Sequence, residues 1–364
     1  MSWKKGRVTS LTRYWEGCQE CYITLEGGEE IKALAYTYLV GQPSIGDLAI
    51  LTTSALKKNL GTGGYAFIVA LPEHLPSDEG TRGHIVKTRY TPLQYMTLGV
   101  DEQESPYHHI LKDEDSIQGM PVIVCELHSM IPAAIAAIKE EKPDVSIAYI
   151  MLDGASLPLW FSRLVAQLEK ENYIDATISC GQAYGGTYEA VNIYTALLAA
   201  RHVVKADIAI VTQGPGTLGT GTQWGFSGTQ VGEALNAVGI LKGTPIALLR
   251  MSSGDKRERH QGISHHTMTT LSKIVHVNTA CPVPHIPTDI QQTVPAWIIE
   301  KIEKQMQDLR MQSYLHIHEI SAFHALEKLR SLPFQLSTMG RNVDEDPLAF
   351  MSAYVAGIYA CSEM

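Results

Sequence analysis

The sequence lacks a long apolar segment, an excess of positive charge and a cysteine framework, and each absence excludes a class of protein. No apolar run approaches the ~20 residues that span a bilayer, and no apolar stretch of a signal peptide follows the basic start. The net charge is −9, whereas nucleic-acid binding requires a basic face. The six cysteines are scattered, as in proteins with reduced thiols. We therefore expect a cytoplasmic protein that binds neither membranes nor nucleic acid.

Two regions with different patterns follow one another along the 364 residues. Six short β-rich runs separated by turn residues predict a small barrel or sandwich with a connector over residues 1–112. The six runs are RVTSLTRY, CYITLE, IKALAYTYL, DLAILTT, YAFIVAL and HIVKTRY. From Pro121 onward, runs that are apolar on both faces alternate with helix-length segments, as in a parallel sheet covered by helices. The sequence thus predicts an α/β fold in which residues 113–364 form a doubly wound, mostly parallel, Rossmann-like domain.

Polar loops follow the apolar runs of the second region. In an open parallel sheet, ligands bind outside the carboxyl ends of the strands, so these loops are where we expect a site. They hold many of the histidines, amides and glycines of the chain. They read ELHS, LDGAS, CGQAYGG, residues 213–227 and residues 252–266.

The glycine-rich loop QGPGTLGTGTQWGFS contains a literal G-x-G-x-x-G. A dinucleotide-binding loop would follow the first strand and open a helix directly, whereas here the helix begins only near Ser227, where Ser227-x-x-Gln230 predicts a capping box. A P-loop is incomplete as well, because Gly221 is followed by Thr222 and not by Lys. The cofactor therefore stays open.

Backbone N–H groups and small hydroxyls in the same loop predict a cradle for a small anion. The alternative is a tight loop packed against its own domain, in which glycine permits positive φ. The residues that would line the cradle are Gln213, Gly214, Gly216, Thr217, Gly219, Thr220 and Ser227.

The segment RMSSGDKRERHQGISHHT predicts catalytic or metal-binding histidines. Ser264 has the character of an N-cap, which places His265 and His266 in a first helical turn, where the helix dipole keeps imidazole neutral. Because adjacent helical residues point ~100° apart, we expect only one of the two to face the site. The alternative is a pair of surface histidines.

Other candidates for acid–base or metal chemistry lie at neighbouring loops. His128 is a second possible general base, and Asp153 or Asp255 could orient a base or a metal. Glu126 and His128 share a face if the strand continues, as do His316 and His318, and His260 or Asp153 could complete a divalent-metal site. No compact metal signature is present, and satisfied core residues remain the alternative for His316 and His318. The metal therefore stays open.

Two further residues have alternative interpretations. Arg341, in TMGRNVDEDP, could clamp a carboxylate or phosphate or form a plain surface salt bridge. In the same segment Asp346 is predicted to cap a helix that begins at Pro347. Cys180 at a strand end could be a nucleophile, but a buried inert thiol is favoured.

Three motifs together, QGPGTLGTGTQWGFSGTQVGEAL, RERHQGISHHT and TMGRNVDEDP, resemble a conserved bacterial family catalogued only as a domain of unknown function. The resemblance covers nearly the whole chain, including SIGDLAILTTSALKKNLGTGGY. It implies a bacterial cytoplasmic protein and transfers no catalytic residue.

The residues favour an enzyme of the hydrolase, lyase or transferase kind that acts on a small anionic substrate. The 213–227 loop would hold the anionic group, His265 or His128 would act as general base, and Asp153 or Asp255 would orient it or a metal. A non-catalytic ligand-sensing or protein-interaction module is the alternative. A structural homo-oligomer, in which a neighbouring subunit fills the glycine loop, is a third.

Overall fold

The computed structural model describes residues 2–60, 62–76 and 83–364. Contacts divide the chain into two compact units, Met1–Leu98 with Pro158–Gln167, and Gly99–Leu157 with Leu168–Met364. Whether residues 1–112 and 113–364 are separate domains stays a prediction. Among the described residues, no helix combines the length and the apolarity needed to cross a bilayer.

The first unit contains a closed barrel, which confirms the predicted small β architecture. The barrel order is β1-β2-β3-β5-β4, and Val8, Ile23 and Leu51 lie in its core. The sixth predicted run is outside the barrel and pairs in a separate hairpin, because closure already satisfies both edges of the sheet. The strands are β1 Trp3–Trp15, β2 Cys18–Leu25, β3 Glu30–Tyr36, β4 Leu48–Thr52, β5 Ala66–Ala70, and the hairpin pair β6 Ile85–Lys87 and β7 Tyr95–Thr97.

The second unit is built on an eight-stranded sheet of order β11-β10-β9-β12-β8-β13-β16-β17, and all its strand pairs are parallel. The central strands are buried along their whole length, as runs that are apolar on both faces require. Its strands are β8 Pro121–Cys125, β9 Ile147–Leu152, β10 Ala176–Cys180, β11 Tyr188–Ala190, β12 Ile208–Gln213, β13 Thr244–Leu248, β16 Thr279–His285 and β17 Leu315–Ser321, with the small antiparallel pair β14 Met251–Ser252 and β15 Gly262–Ile263.

Helices connect the strands, as the alternating pattern predicts. They are α1 Thr37–Val40, α2 Ser54–Lys57, α3 His108–Leu111, α4 Ile131–Glu141, α5 Arg163–Lys170, α6 Ile193–Ala199, α7 Thr229–Ile240, α8 His265–Lys273, α9 Thr288–Thr293, α10 Ala296–Arg310, α11 Ala325–Arg330 and α12 Pro347–Ser362. The run PFQLSTM has the composition of a β-strand and predicts one, but it forms no strand in the part of the chain that the structure describes. Phe334, Leu336 and Thr338 are buried alternately, but among the described residues the segment pairs only through an isolated bridge between Thr338 and Arg341.

The strand order creates two crevices at the carboxyl edge of the sheet. From β9 the chain continues towards β10 at one end of the sheet, whereas from neighbouring β12 it continues towards β13 at the other end. In the same way, the chain continues from β8 towards β9 but from neighbouring β13 towards β16. Crevices of this kind are where open α/β sheets bind ligands. The β8/β13 and β9/β12 crevices are therefore where a ligand site is expected.

Candidate functional site

Three histidines converge near the β8/β13 crevice. His260 ends a 3-10 turn, and His265 and His266 begin α8. Each offers a ring nitrogen, and these nitrogens lie within 4.8 Å of one another. The predicted N-cap is confirmed, since the Ser264 hydroxyl accepts a hydrogen bond from the His266 backbone N–H at 3.3 Å. We call His260, His265 and His266 the histidine cluster.

Both adjacent histidines of α8 belong to the cluster, so the expectation that only one faces the site is wrong. The ring centroids of His265 and His266 lie 4.2 Å apart, and each lies 5.1 Å from that of His260. Adjacent residues of a helix point in different directions, but His260, from the 3-10 turn before α8, contacts both His265 and His266. His260 therefore completes a cluster that the helix alone would not form.

Glu126, the first residue after β8, fixes the orientation of one cluster member. Its Oε1 lies 2.8 Å from His266 Nδ1 and accepts a hydrogen bond from Arg250 Nη1 at 2.8 Å. Burial alone would raise the pKa of Glu126, but the His266 hydrogen bond and the Arg250 charge lower it below its ordinary value. Because a carboxylate only accepts, His266 Nδ1 is the donor of this hydrogen bond, and Nε2 is the ring nitrogen that remains for a ligand.

The other two histidines are held in the neutral form that a metal ligand requires. Burial and the nearby Arg250 and Arg257 charges lower the pKa of His260 to about 3. Burial and the adjacent His266 lower the pKa of His265 to about 4. His265 Nε2 is buried and finds no hydrogen-bond partner among the residues that the structure describes, while His260 Nδ1 lies 2.8 Å from Ser264 Oγ. At neutral pH each ring therefore offers an unprotonated nitrogen.

Arg341 is held by two carboxylates beside the cluster. Its Nε donates to Asp346 at 2.9 Å, and its Nη2 lies 3.4 Å from Asp255. Burial alone would raise the pKa of Asp255, but hydrogen bonds from Arg257 and the Arg341 charge hold it well below its usual range. These pairs correspond to the salt-bridge interpretation of Arg341, in a largely buried setting.

Asp346 occupies the predicted N-cap position of α12, and Pro347 is the first helical residue. Its side chain makes no capping hydrogen bond, so that part of the prediction is wrong. It instead accepts from Ser252 Oγ at 2.6 Å, Ser253 N at 2.9 Å and Gly254 N at 3.2 Å. The Asp346 carboxylate thus accepts hydrogen bonds from the loop after β14 and not from the first turn of α12. These bonds hold that loop in place.

The glycine-rich loop closes on itself. Ser227 N donates to Leu218 O at 2.9 Å, Leu218 N donates to Ser227 Oγ at 3.1 Å, and Thr220 N donates to Gly225 O at 2.7 Å. The predicted capping box is wrong, because α7 begins at Thr229 and the Gln230 amide reaches Asp153. Several of the donors expected to face an anion are therefore used within the loop.

The same loop packs on the histidine cluster. The Phe226 ring stacks on the His266 ring, with centroids 4.1 Å apart and planes inclined by 2°. A Cβ added to Gly219 would lie 3.6 Å from His266 Nε2. Gly216 has a φ of +102° and open space around it, which glycine tolerates. The backbone at Gly219 thus borders the Nε2 side of the His266 ring.

The first residues of this loop, Gln213 and Gly214, are packed against the sheet. Gln213 Nε2 donates to Glu126 O and to Thr217 Oγ1, each at 3.1 Å. A Cβ on Gly214 would lie 2.5 Å from Ser156 O, so no larger residue fits.

His128 and Asp153 are each held by partners of their own. His128 Nδ1 lies 3.0 Å from the Tyr149 hydroxyl, and burial lowers the pKa of His128 to about 4. Asp153 accepts from Gln182 N and from Gln230 Nε2, both at 2.8 Å. Glu126 and His128 do not act together, because β8 ends at Cys125 and the chain turns into a 3-10 helix at His128.

The remaining candidates have simple environments. His316 is exposed and therefore not a core residue, whereas His318 is half-buried and its Nε2 lies 3.3 Å from the Tyr359 hydroxyl, which satisfies that nitrogen. Cys180 is buried and its thiol faces Met151 O at 3.6 Å, as expected of an inert thiol.

Arg250, which pairs with Glu126, is the residue of the candidate site that the sequence patterns missed. It lies 5% exposed, two residues beyond the end of β13, beside the strand that precedes Glu126. An arginine so close to the end of a mostly apolar strand is unusual, because a buried guanidinium requires a carboxylate partner. That position was the signal that could have found it.

A protein-family model described as "Protein of unknown function (DUF3866)" matches residues 32–357 of the chain. The match confirms the resemblance to a family without an assigned function. No curated protein matches the chain.

Proposed function

Because the chain belongs to this family, whose description assigns no activity, we propose a function from the site. The protein binds a divalent transition-metal ion at His260, His265 and His266 and uses it to hydrolyse a small anionic substrate. The observation that carries the proposal is the convergence of three ring nitrogens within 4.8 Å, with Glu126 behind His266.

The chemistry of the donors supports a transition metal over other ions. Imidazole nitrogen suits Zn²⁺, Co²⁺, Ni²⁺ and Cu²⁺, whereas Mg²⁺ and Ca²⁺ prefer oxygen. A metal-binding histidine usually donates its second ring N–H to a carboxylate, as His266 does to Glu126. Three protein ligands leave one coordination position open, which is the pattern of catalytic and not of structural zinc.

The surroundings support an anionic substrate at that position. The bound cation would attract an anion and act as a Lewis acid towards the substrate and a water molecule. The glycine loop borders His266 at Gly219, so Gly216, Thr217 and Gly219 are the loop residues we assign to substrate contact. We assign His265 as a ligand and not as a general base, because its buried Nε2 has no other partner in the described part of the chain.

Zinc binding to the metal-stripped protein tests the proposal. We expect isothermal titration calorimetry to show one Zn²⁺ per chain for the wild type. We expect His260→Ala and His266→Ala to weaken binding by at least 100-fold, because each removes one of three ligands. His316→Ala is the matched control, an exposed histidine of β17 that should leave affinity unchanged. Equal affinity in all four proteins would disprove the metal site.

Hydrolysis is tested separately on the zinc-loaded protein with small phosphate and carboxylate esters. The expected result is turnover that requires zinc and is lost in His266→Ala.

A non-catalytic metal or ligand sensor is the second candidate. It is favoured by the fact that His128 and Asp153 have partners of their own, so neither is placed as a general base beside the cluster. Zinc binding without turnover of any ester would favour the sensor. The cytoplasmic location, the bacterial origin and homo-oligomer formation stay predictions.

A further inference from the structure

A cavity of about 320 Å³ lies at the carboxyl end of β16. The last three residues of that strand, Val283, Pro284 and His285, line it together with Glu319 of the neighbouring β17 and residues of α10. Ligand pockets have volumes of about 300–1,000 Å³, and open α/β sheets bind ligands outside the carboxyl ends of their strands. The cavity therefore has the size and the position of a site for a small molecule.

The floor of the cavity is apolar. Met251 and Val283 are each 1% exposed, and Ile302 of α10 is 3% exposed. Ile299 and Met306 are half-buried and lie three residues before and four residues after Ile302, so the three side chains form one apolar row on the helix. Because such a surface binds by removing apolar ligand surface from water, it favours a ligand with a hydrocarbon body.

The rim of the cavity carries more negative than positive charge. Glu303, Gln307 and Arg310 form a polar row on α10 beside the apolar row, and all three are exposed. The Arg310 guanidinium is already neutralised, because its Nη2 lies 2.7 Å from Glu319 Oε1. Glu303 forms no hydrogen bond or ion pair with any residue that the structure describes. The uncompensated charge at the rim is therefore the Glu303 carboxylate.

We propose that this cavity binds a small primary amine with an apolar body, whose ammonium group lies at Glu303 and whose hydrocarbon part lies on the apolar floor. An ammonium group has three N–H donors, and the Gln307 amide oxygen, one helical turn from Glu303, is a second acceptor. A ligand carboxylate would instead meet the Glu303 charge and an arginine that is already paired. The cavity shares no lining residue with the histidine cluster, so the site does not depend on the proposed metal centre.

Nuclear magnetic resonance of methyl groups tests the site in the full chain. Phenethylammonium chloride is titrated into protein with ¹³C-labelled methionine methyl groups, with the Met306 signal assigned by its loss in Met306→Leu. We expect saturating shifts at Met306 and none at Met339, an exposed methionine that does not line the cavity. 2-Phenylethanol has the same size and no charge and should bind about fivefold more weakly, the most that an exposed ion pair contributes. Phenylacetate, with the opposite charge, should bind more weakly still.

Glu303→Gln removes the proposed charge, and Glu300→Gln is its matched control, because Glu300 is an exposed glutamate of the same helix that does not line the cavity. We expect Glu303→Gln to bind phenethylammonium about fivefold more weakly and 2-phenylethanol as tightly as the wild type does, and Glu300→Gln to bind both as the wild type does. Absence of shifts at Met306, equal shifts at Met339, phenylacetate binding as tight as that of phenethylammonium, or equal affinities in the two variants overturns the proposal.

Discussion

Replacing Glu126 by glutamine removes the charge that connects the histidine cluster to the sheet. Glu126 and Arg250 are each 5% exposed, and their ion pair is 2.8 Å long. Removing one partner of a buried pair typically costs about 3–5 kcal/mol, because the other charge stays buried without compensation. Asp255 remains 3.8 Å from Arg250, and glutamine keeps one acceptor oxygen. We therefore expect a loss of about 3 kcal/mol in the free energy of unfolding.

The same substitution tests the metal site. His266 Nδ1–H loses its carboxylate acceptor, and loss of such a partner typically weakens metal binding by about 10–100-fold. Guanidinium unfolding of the metal-free protein at neutral pH measures the stability change, and zinc titration measures the affinity.

Glu319→Gln is the control for the stability change. Glu319 pairs with Arg310 at 2.7 Å, but both side chains are about half exposed, at 51% and 47%. An exposed pair contributes at most about 1 kcal/mol, although its length matches that of the buried one.

A double-mutant cycle separates the pair from its surroundings. Adding Arg250→Met to Glu126→Gln removes the uncompensated charge, so we expect the double variant to be more stable than Glu126→Gln alone. The reasoning is refuted if Glu126→Gln costs no more than Glu319→Gln and leaves zinc affinity unchanged.

Three other predictions follow from buried polar groups. Asp346→Asn should lower stability by about 2–4 kcal/mol and speed amide hydrogen exchange at Ser253 and Gly254, since it weakens the bonds to that loop; unchanged exchange would contradict this role. Burial lowers the pKa of His128 to about 4, whereas the residue titrates near 6.5 in the unfolded chain. The contribution of neutral His128 to the free energy of unfolding is therefore complete above pH 6.5 and is lost as the pH falls towards 4. The loss is on the order of 3 kcal/mol, and urea unfolding at pH 7 and 4.5 should show less pH dependence in His128→Gln. All six cysteines are buried, so a thiol reagent should label fewer than one in the native protein and all six in denaturant; rapid native labelling would show that a thiol is accessible.

The local sequence pattern was sufficient to predict the barrel, the parallel sheet and the first residue of α8. The parallel sheet follows from runs that are apolar on both faces, and the barrel from short runs separated by turns. The start of α8 follows from Ser264, because a cap is an interaction between residues two or three apart. Local pattern wrongly predicted a capping box at Ser227, because the Ser227 hydroxyl binds Leu218 N and the Gln230 amide binds Asp153. It also wrongly predicted a strand at PFQLSTM, because no strand of the described residues pairs with that run.

The site depended on contacts that no local period encodes. Glu126 meets Arg250 across 124 residues and His266 across 140 residues of sequence. Gln213, the last residue of β12, lies against Gly154 because β12 is next to β9 in the sheet. Sequence periodicity specifies which face of an element is buried, whereas strand order is decided by long-range pairing. The strand ends were therefore predictable as the place of a site, but the partner of each side chain there was decided by the tertiary structure.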